Sequence, residues 1–209
     1  LMVLVLAFGS LLAACGSSGN SSTGTSGESG EGTTASQDLR INMSAEPPTF
    51  DPAQAKDSQT NTALKLMYEG LTRMGADGNP VPGVAEKWDV SEDGLKYTFH
   101  LRANATWSNG DPVTAKDFAY AWERVLSPET TPASEYAYQL YYLKNGEAFN
   151  TGKIKDFSQV GVKVVDDKTL EVTLADPAPY WLGLTSFYTY YPVNEKNVKA
   201  NAQWASKAD

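Results

Sequence analysis

One thiol, one imidazole and 25 carboxylates are the side chains of this 209-residue chain that could do chemistry. A single cysteine, Cys15, excludes an internal disulfide framework and a cysteine-based zinc site. His100 lies in Lys96-Tyr97-Thr98-Phe99-His100-Leu101, on the polar side of an alternating run. No sequence neighbour completes a catalytic relay with it, so a solvated or structural role is expected. Acids are plentiful enough that some pair must lie close together, and glycosidases work with two carboxylates at a set separation. None here stands in a recognisable catalytic constellation, and no G-x-S-x-G nucleophile elbow is present. An extracellular hydrolase is therefore the weaker rival reading, and no cofactor or metal is expected. The formal net charge of −8 argues against a nucleic-acid partner held by a basic stripe.

The surroundings of Cys15 give that thiol a different role. Residues 1–14 are uncharged and apolar and end in small residues. They read as a secretory signal core, shorter than the roughly 20 apolar residues that span a membrane. The first basic residue is Arg40, so a signal peptide with an incomplete n-region is expected. Leu12-Ala13-Ala14-Cys15 resembles the lipobox of bacterial lipoproteins. That resemblance implies diacylglycerol on the Cys15 sulfur and cleavage before it, and two acyl chains anchor stably where one is marginal. Residues 16–37 are almost entirely Gly, Ser, Thr and Asn with Glu28 and Glu31, a composition that cannot bury enough apolar surface to offset its ordering entropy. Residues 15–37 are thus expected to be a lipidated cysteine and a flexible stalk. Beyond them, 23 acids face 17 bases. A hydrophobic fraction of 41% with 23 aromatic residues predicts a packed core.

Leu39–Met43 alternates as a first strand, closed by the proline-rich run 46–52. Leu64, Met67, Tyr68 and Leu71 share one face of a helical period. Asp93-Gly94 between two alternating runs predicts a β-hairpin, with Tyr97, Phe99 and Leu101 on one face. Thr114 and Asp117 resemble a capping box opening a helix whose apolar stripe is Phe118, Ala121, Trp122, Val125 and Leu126, ended at Ser127-Pro128. A further helix is expected over 134–143. Val162–Val165 and Leu170–Leu174 form a second hairpin about Asp166-Asp167, and Pro177 and Pro179 introduce a short aromatic helix around Tyr180 to Phe187.

Val84-Ala85-Glu86-Lys87-Trp88, Asp93-Gly94, Tyr97–Arg102 and the run Trp107–Phe118, continued by Ala121-Trp122, Arg124 and Ala178-Pro179-Tyr180, appear in that order. In this the chain resembles the oligopeptide-binding proteins of bacterial ABC importers, the peptide- and nickel-binding solute receptors. The resemblance implies an α/β, two-lobed, periplasmic-binding-protein-like (type II) fold, of which this chain would be an N-terminal fragment. Residues 38–67 and 162–209 would belong to the first lobe and 68–161 to an inserted extra subdomain. It implies no enzymatic activity, but an extracellular, lipid-anchored, monomeric receptor that captures oligopeptides and hands them to ABC permease subunits. A Gram-positive membrane face is expected, with the periplasm as the alternative, and a peptide-sensing receptor without transport is the other reading. By the same resemblance Ala55, Lys56, Asp57 and Ser58 lie along the bound peptide, and Tyr136 approaches it from the extra subdomain.

Overall fold

The computed structural model describes residues 40–206. Cys15, the signal core and the stalk lie outside the described residues, as does Leu39. Residues 40–43 form no strand. They pair with no strand among the described residues, and a strand needs a paired neighbour to hold its backbone hydrogen bonds.

Two antiparallel hairpins fuse into one sheet. β3 (Ala85–Val90) pairs with β4 (Lys96–Leu101) in the register Trp88↔Phe99, across a turn in which Gly94 takes φ +70°. β5 (Val162–Asp166) pairs with β6 (Thr169–Thr173), and β6 docks on β4 with Phe99 opposite Leu170, giving the order β3-β4-β6-β5. The expected alternation is realised: Tyr97, Phe99, Leu101, Leu170 and Val172 are buried on one face. On the other face His100 Nε2 lies 2.8 Å from Asp89 Oδ2, an acid of the facing strand. The sheet runs across the expected division at 161/162, which would cut β5–β6 away from β3–β4. A small ribbon, β1 (Thr72–Met74) with β2 (Pro80–Pro82), stands apart from it.

α2 (Ala115–Leu126) packs its predicted stripe into the same core, every member buried. Its capping box is formed: Asp117 Oδ2 accepts from the Thr114 N–H at 2.8 Å and from Thr114 Oγ1 at 3.0 Å. Trp122 Nε1 donates to the Tyr190 carbonyl at 2.9 Å, and Trp181 Nε1 donates to Tyr190 Oη at 3.1 Å. These bonds satisfy indole donors that would otherwise be buried without partners. α4 (Trp181–Leu184) realises the first half of the aromatic helix expected over 180–187, and a 3₁₀ turn at Tyr188–Tyr190 follows that stretch.

Two expected helices are shorter than their periodicity suggests. α1 (Ser58–Met67) stops before Leu71, and Met67 is exposed. Tyr68 turns extended because Gly70 must pass against other backbone: a Cβ there would lie 2.3 Å from the Thr185 carbonyl oxygen. Leu71 is buried by its place beside β2, where its carbonyl accepts from the N–H groups of Gly83 and Ala85. Over 134–143 only Ala137–Leu140 winds into a 3₁₀ turn. Leu143 is drawn into a bridge with Leu174, and Asn145 reverses the chain at φ +60°. Tertiary strand pairing thus overrides a local helical pattern. Two further short α-helices, α3 (Gly146–Asn150) and α5 (Glu195–Ala200), and 3₁₀ turns at Phe157–Gln159 and Tyr188–Tyr190 complete the elements of the described residues.

Candidate functional site

The loop before α1 is held by a buried ion pair. Arg124, on α2, meets Asp51 with both guanidinium nitrogens, Nη2 to Oδ2 at 2.7 Å and Nη1 to Oδ1 at 3.2 Å. Their side chains are 18% and 8% exposed, so the fork replaces water for both charges. Asp51 also accepts from the Ala53 N–H through Oδ1, and its carbonyl accepts from the N–H groups of Gln54 and Ala55. The loop is therefore wound around one carboxylate and its own backbone.

Residues 55–58 follow directly. Ala55 is buried against Leu64, Tyr188 and Tyr191. Lys56 projects outward and its Nζ meets Glu135 Oε1 at 2.6 Å, which raises the Lys56 pKa, first through the hydrogen bond and then through the charge. Asp57 caps α1: its carboxylate accepts from the Thr60 N–H and from Thr60 Oγ1, each at 2.8 Å. Desolvation pushes the Asp57 pKa up, but those hydrogen bonds outweigh it and hold the carboxyl below the usual range. Ser58 opens the helix with its hydroxyl exposed and within 3.2 Å of Gln59 Oε1.

Tyr136 is brought to the same place from 80 residues further along the sequence. Its ring lies 5.9 Å from both Phe187 and Tyr188, edge to face in each case, and half-buried beside the Ala55 cluster. Besides Lys56–Glu135, Gln54 Nε2 donates to the Pro132 carbonyl at 2.7 Å. Two polar ties thus join 54–56 to 132–135. Of the five expected ligand residues, Ala55, Lys56 and Tyr136 border one ledge, and Asp57 and Ser58 follow it at the start of α1. Ala55 contributes apolar floor and Asp57 a helix cap, while Lys56, Ser58 and part of Tyr136 remain accessible.

Sequence reasoning missed Glu135, Tyr188 and the Asp51 half of the ion pair. Glu135 beside Tyr136 carried no local pattern, and Tyr188 was one of several aromatics in its stretch. Burial and Tyr136 raise the Tyr188 pKa, so its hydroxyl stays protonated. A cavity of about 600 Å³ opens next to the ledge, bounded by Tyr68, Arg73, Met74, Gln139, Phe187 and Tyr191. Among the described residues no cluster of three or more His, Cys, Asp or Glu is arranged to hold a metal ion. The ledge offers an ion pair that neutralises itself, a hydroxyl, an aromatic edge and an apolar floor. Such a surface suits binding an extended polar chain more than breaking a bond in it.

A profile of the bacterial extracellular solute-binding proteins, family 5 (middle), matches residues 79–208. The oligopeptide-binding protein OppA of Bacillus subtilis is 47% identical over 208 residues, covering 100% of this chain and 37% of that protein. The dipeptide-binding protein DppE of the same organism is 43% identical over 205 residues, 98% of this chain and 37% of the relative. Among solved structures, Listeria monocytogenes OppA bound to peptide is similar with a TM-score of 0.74 and 40% identity, over 78% of this chain and 32% of that one. The chain thus spans 37% of the length of these curated relatives.

Proposed function

The chain belongs to the bacterial extracellular solute-binding proteins of family 5, and from that premise we propose that it is part of a receptor that captures oligopeptides and delivers them to an ABC permease. Its α/β architecture is that of the family's peptide-binding structures, of which it covers a partial domain. The observation that carries the proposal is the joining of residues 54–56 to residues 132–135 at one ledge, by the Lys56–Glu135 and Gln54–Pro132 bonds. A peptide of variable sequence is held through its own N–H and C=O groups, added as a strand, with tolerant space for side chains. Ala55, Lys56, Asp57 and Ser58 would run beside it and Tyr136 would pack on it. Asp57 is engaged in capping and Lys56 pairs with Glu135, and among the described residues neither has a partner that would orient it for acid–base work. That supports a binding role over hydrolysis.

In this reading the receptor works as a monomer on the outer face of the membrane, tethered through diacylglycerol on Cys15. The four-stranded sheet with α2 is the inserted subdomain. The return to the first lobe then follows Thr173 instead of Val162, because β5 and β6 share the sheet of β3 and β4.

The test uses the full-length receptor that carries this chain. Incubation with mixed peptides, recovery and mass spectrometry should return intact bound peptides. New cleavage products, or no peptide at all, would overturn the proposal. Cys15→Ala should release the protein from membranes, and unchanged acyl-dependent retention would refute the anchor.

A further inference from the structure

The tyrosines that follow Tyr136 are not accounted for by the ledge. The turn through Pro177 carries Tyr180 against Tyr142, with ring centroids 5.7 Å apart and planes at 85°. Tyr180 Oη donates to Tyr142 Oη at 3.3 Å. Two rings at right angles, tied at their hydroxyls, make a corner. With that corner, Tyr138, Gln139, Tyr141, Asp176 and Pro177 border a cavity of about 560 Å³. Tyr138 and Tyr180 are 52% and 61% exposed, an unusual display for rings of this size.

The corner is built before any ligand arrives. The Ala175 N–H donates to the Tyr142 carbonyl at 2.8 Å, and the Leu143–Leu174 bridge clamps the two segments together. Tyr141 Oη is pinned to Asn150 Oδ1 at 2.6 Å. A preformed site avoids ordering its own side chains on binding.

Its chemistry is that of a cation receptor. Phenol faces carry negative quadrupole potential and attract a cation placed over them. Asp176 is the one charged residue of the lining, is exposed, and forms no ion pair with Lys or Arg among the described residues. A primary ammonium or a guanidinium is held through directed N–H hydrogen bonds, for which the lining offers Asp176, the Gln139 amide oxygen and phenol oxygens, and it draws less on the ring faces. A trimethylammonium group has no N–H to satisfy, and its methyl groups fit ring faces and the Pro177 ring. We propose that the Tyr142–Tyr180 corner with Asp176 is a second site, separate from the peptide ledge, that takes a trimethylammonium group, whether of free choline or of a choline headgroup in a lipid.

The test titrates the full-length receptor that carries this chain with choline chloride and, separately, with 3,3-dimethylbutan-1-ol, its uncharged isostere, followed by calorimetry or by tyrosine-ring NMR shifts. Choline should bind saturably and the alcohol much more weakly. Tyr180→Leu and Tyr142→Leu should each weaken choline by about two- to fivefold, and Asp176→Asn should weaken it and remove most of the salt dependence. Tyr180 and Asp176 are exposed, so these two variants should keep the wild-type melting curve. Phosphatidylcholine and phosphatidylglycerol vesicles separate the sources: binding to the first alone, competed by choline, identifies the headgroup, and choline binding without vesicle binding identifies the free molecule. Equal binding of choline and the alcohol would overturn the proposal. So would choline affinity unaltered by Tyr180→Leu and Asp176→Asn, or no saturable binding to any of these probes.

Discussion

Replacing Asp51 by Asn keeps the shape of the side chain and removes one charge of the buried fork, leaving Arg124 facing a neutral amide. Breaking a buried pair from one side costs about 3–5 kcal/mol. Arg124 is 18% exposed, and its remaining contact with water places the expected loss at the lower end, about 3 kcal/mol. For a chain of this size, at 2–4 °C per kcal/mol, that corresponds to a fall in Tm of about 6–12 °C. Urea denaturation and thermal melts of the variant measure it directly. Arg124→Met leaves Asp51 unpaired in its place and should be comparably harmful. The double variant, in which neither charge is stranded, should be more stable than the sum of the two losses predicts by at least about 1 kcal/mol. Because the Asp51 carbonyl also receives the Gln54 and Ala55 N–H groups, hydrogen exchange at Ala55 should quicken in Asp51→Asn. A loss below about 1 kcal/mol, or strict additivity of the double variant, would mean that the fork is no more than a surface pair. The account of how the loop is positioned would then fail.

Asp57→Ala should shorten the ordered part of α1 and lower stability at neutral pH by about 1 kcal/mol. The folded-state pKa of Asp57 is depressed, so its contribution is full above the unfolded carboxylate value and is lost as pH falls through the folded one; melting curves of the variant should show a correspondingly flatter acid limb. Gly70→Ala drives a Cβ to within 2.3 Å of the Thr185 carbonyl, and circular dichroism should show a protein that is unfolded or expressed only as aggregate. Trp122→Ala, which empties a fully buried position and frees the Tyr190 carbonyl, should cost about 3–5 kcal/mol in denaturant titration. Lys56→Glu sets two acids where Lys56 and Glu135 now pair. In the full-length receptor it should shift the recovered peptides toward basic residues, and an unchanged peptide pool would remove Lys56 from the site.

The hairpins and α2 were legible because each is specified by residues close together in sequence. Period-2 alternation set the buried face of β4, and a 3.6-residue stripe with a Thr-x-x-Asp cap set the start and the packing face of α2. The same reasoning overextended α1 and the 134–143 stretch. In both, apolar spacing was read as a continuous helix, while Leu71 and Leu143 are buried by strand-like contacts with Gly83, Ala85 and Leu174. Asp57 was legible as a site residue only through resemblance; that its carboxylate is occupied with Thr60 was written in the Asp-x-x-Thr spacing and passed unnoticed. Glu135 had no signal, since nothing local says that it will face Lys56.

By itself the sequence determined the hairpin pattern, the capped helix and, through ordered motifs from Val84 to Tyr180, the family to which the chain belongs. These follow from side-chain period and backbone preference, which act over a few residues. Only the tertiary structure decided that Lys56 meets Glu135 across 79 positions, that Arg124 grips Asp51 across 73, and that Tyr142 and Tyr180 form a corner. Such meetings depend on which elements pair and pack together. The docking of β6 on β4 draws the Tyr180 segment toward Tyr142, while the packing of the 51–56 loop against α2 and residues 132–135 makes the other two meetings.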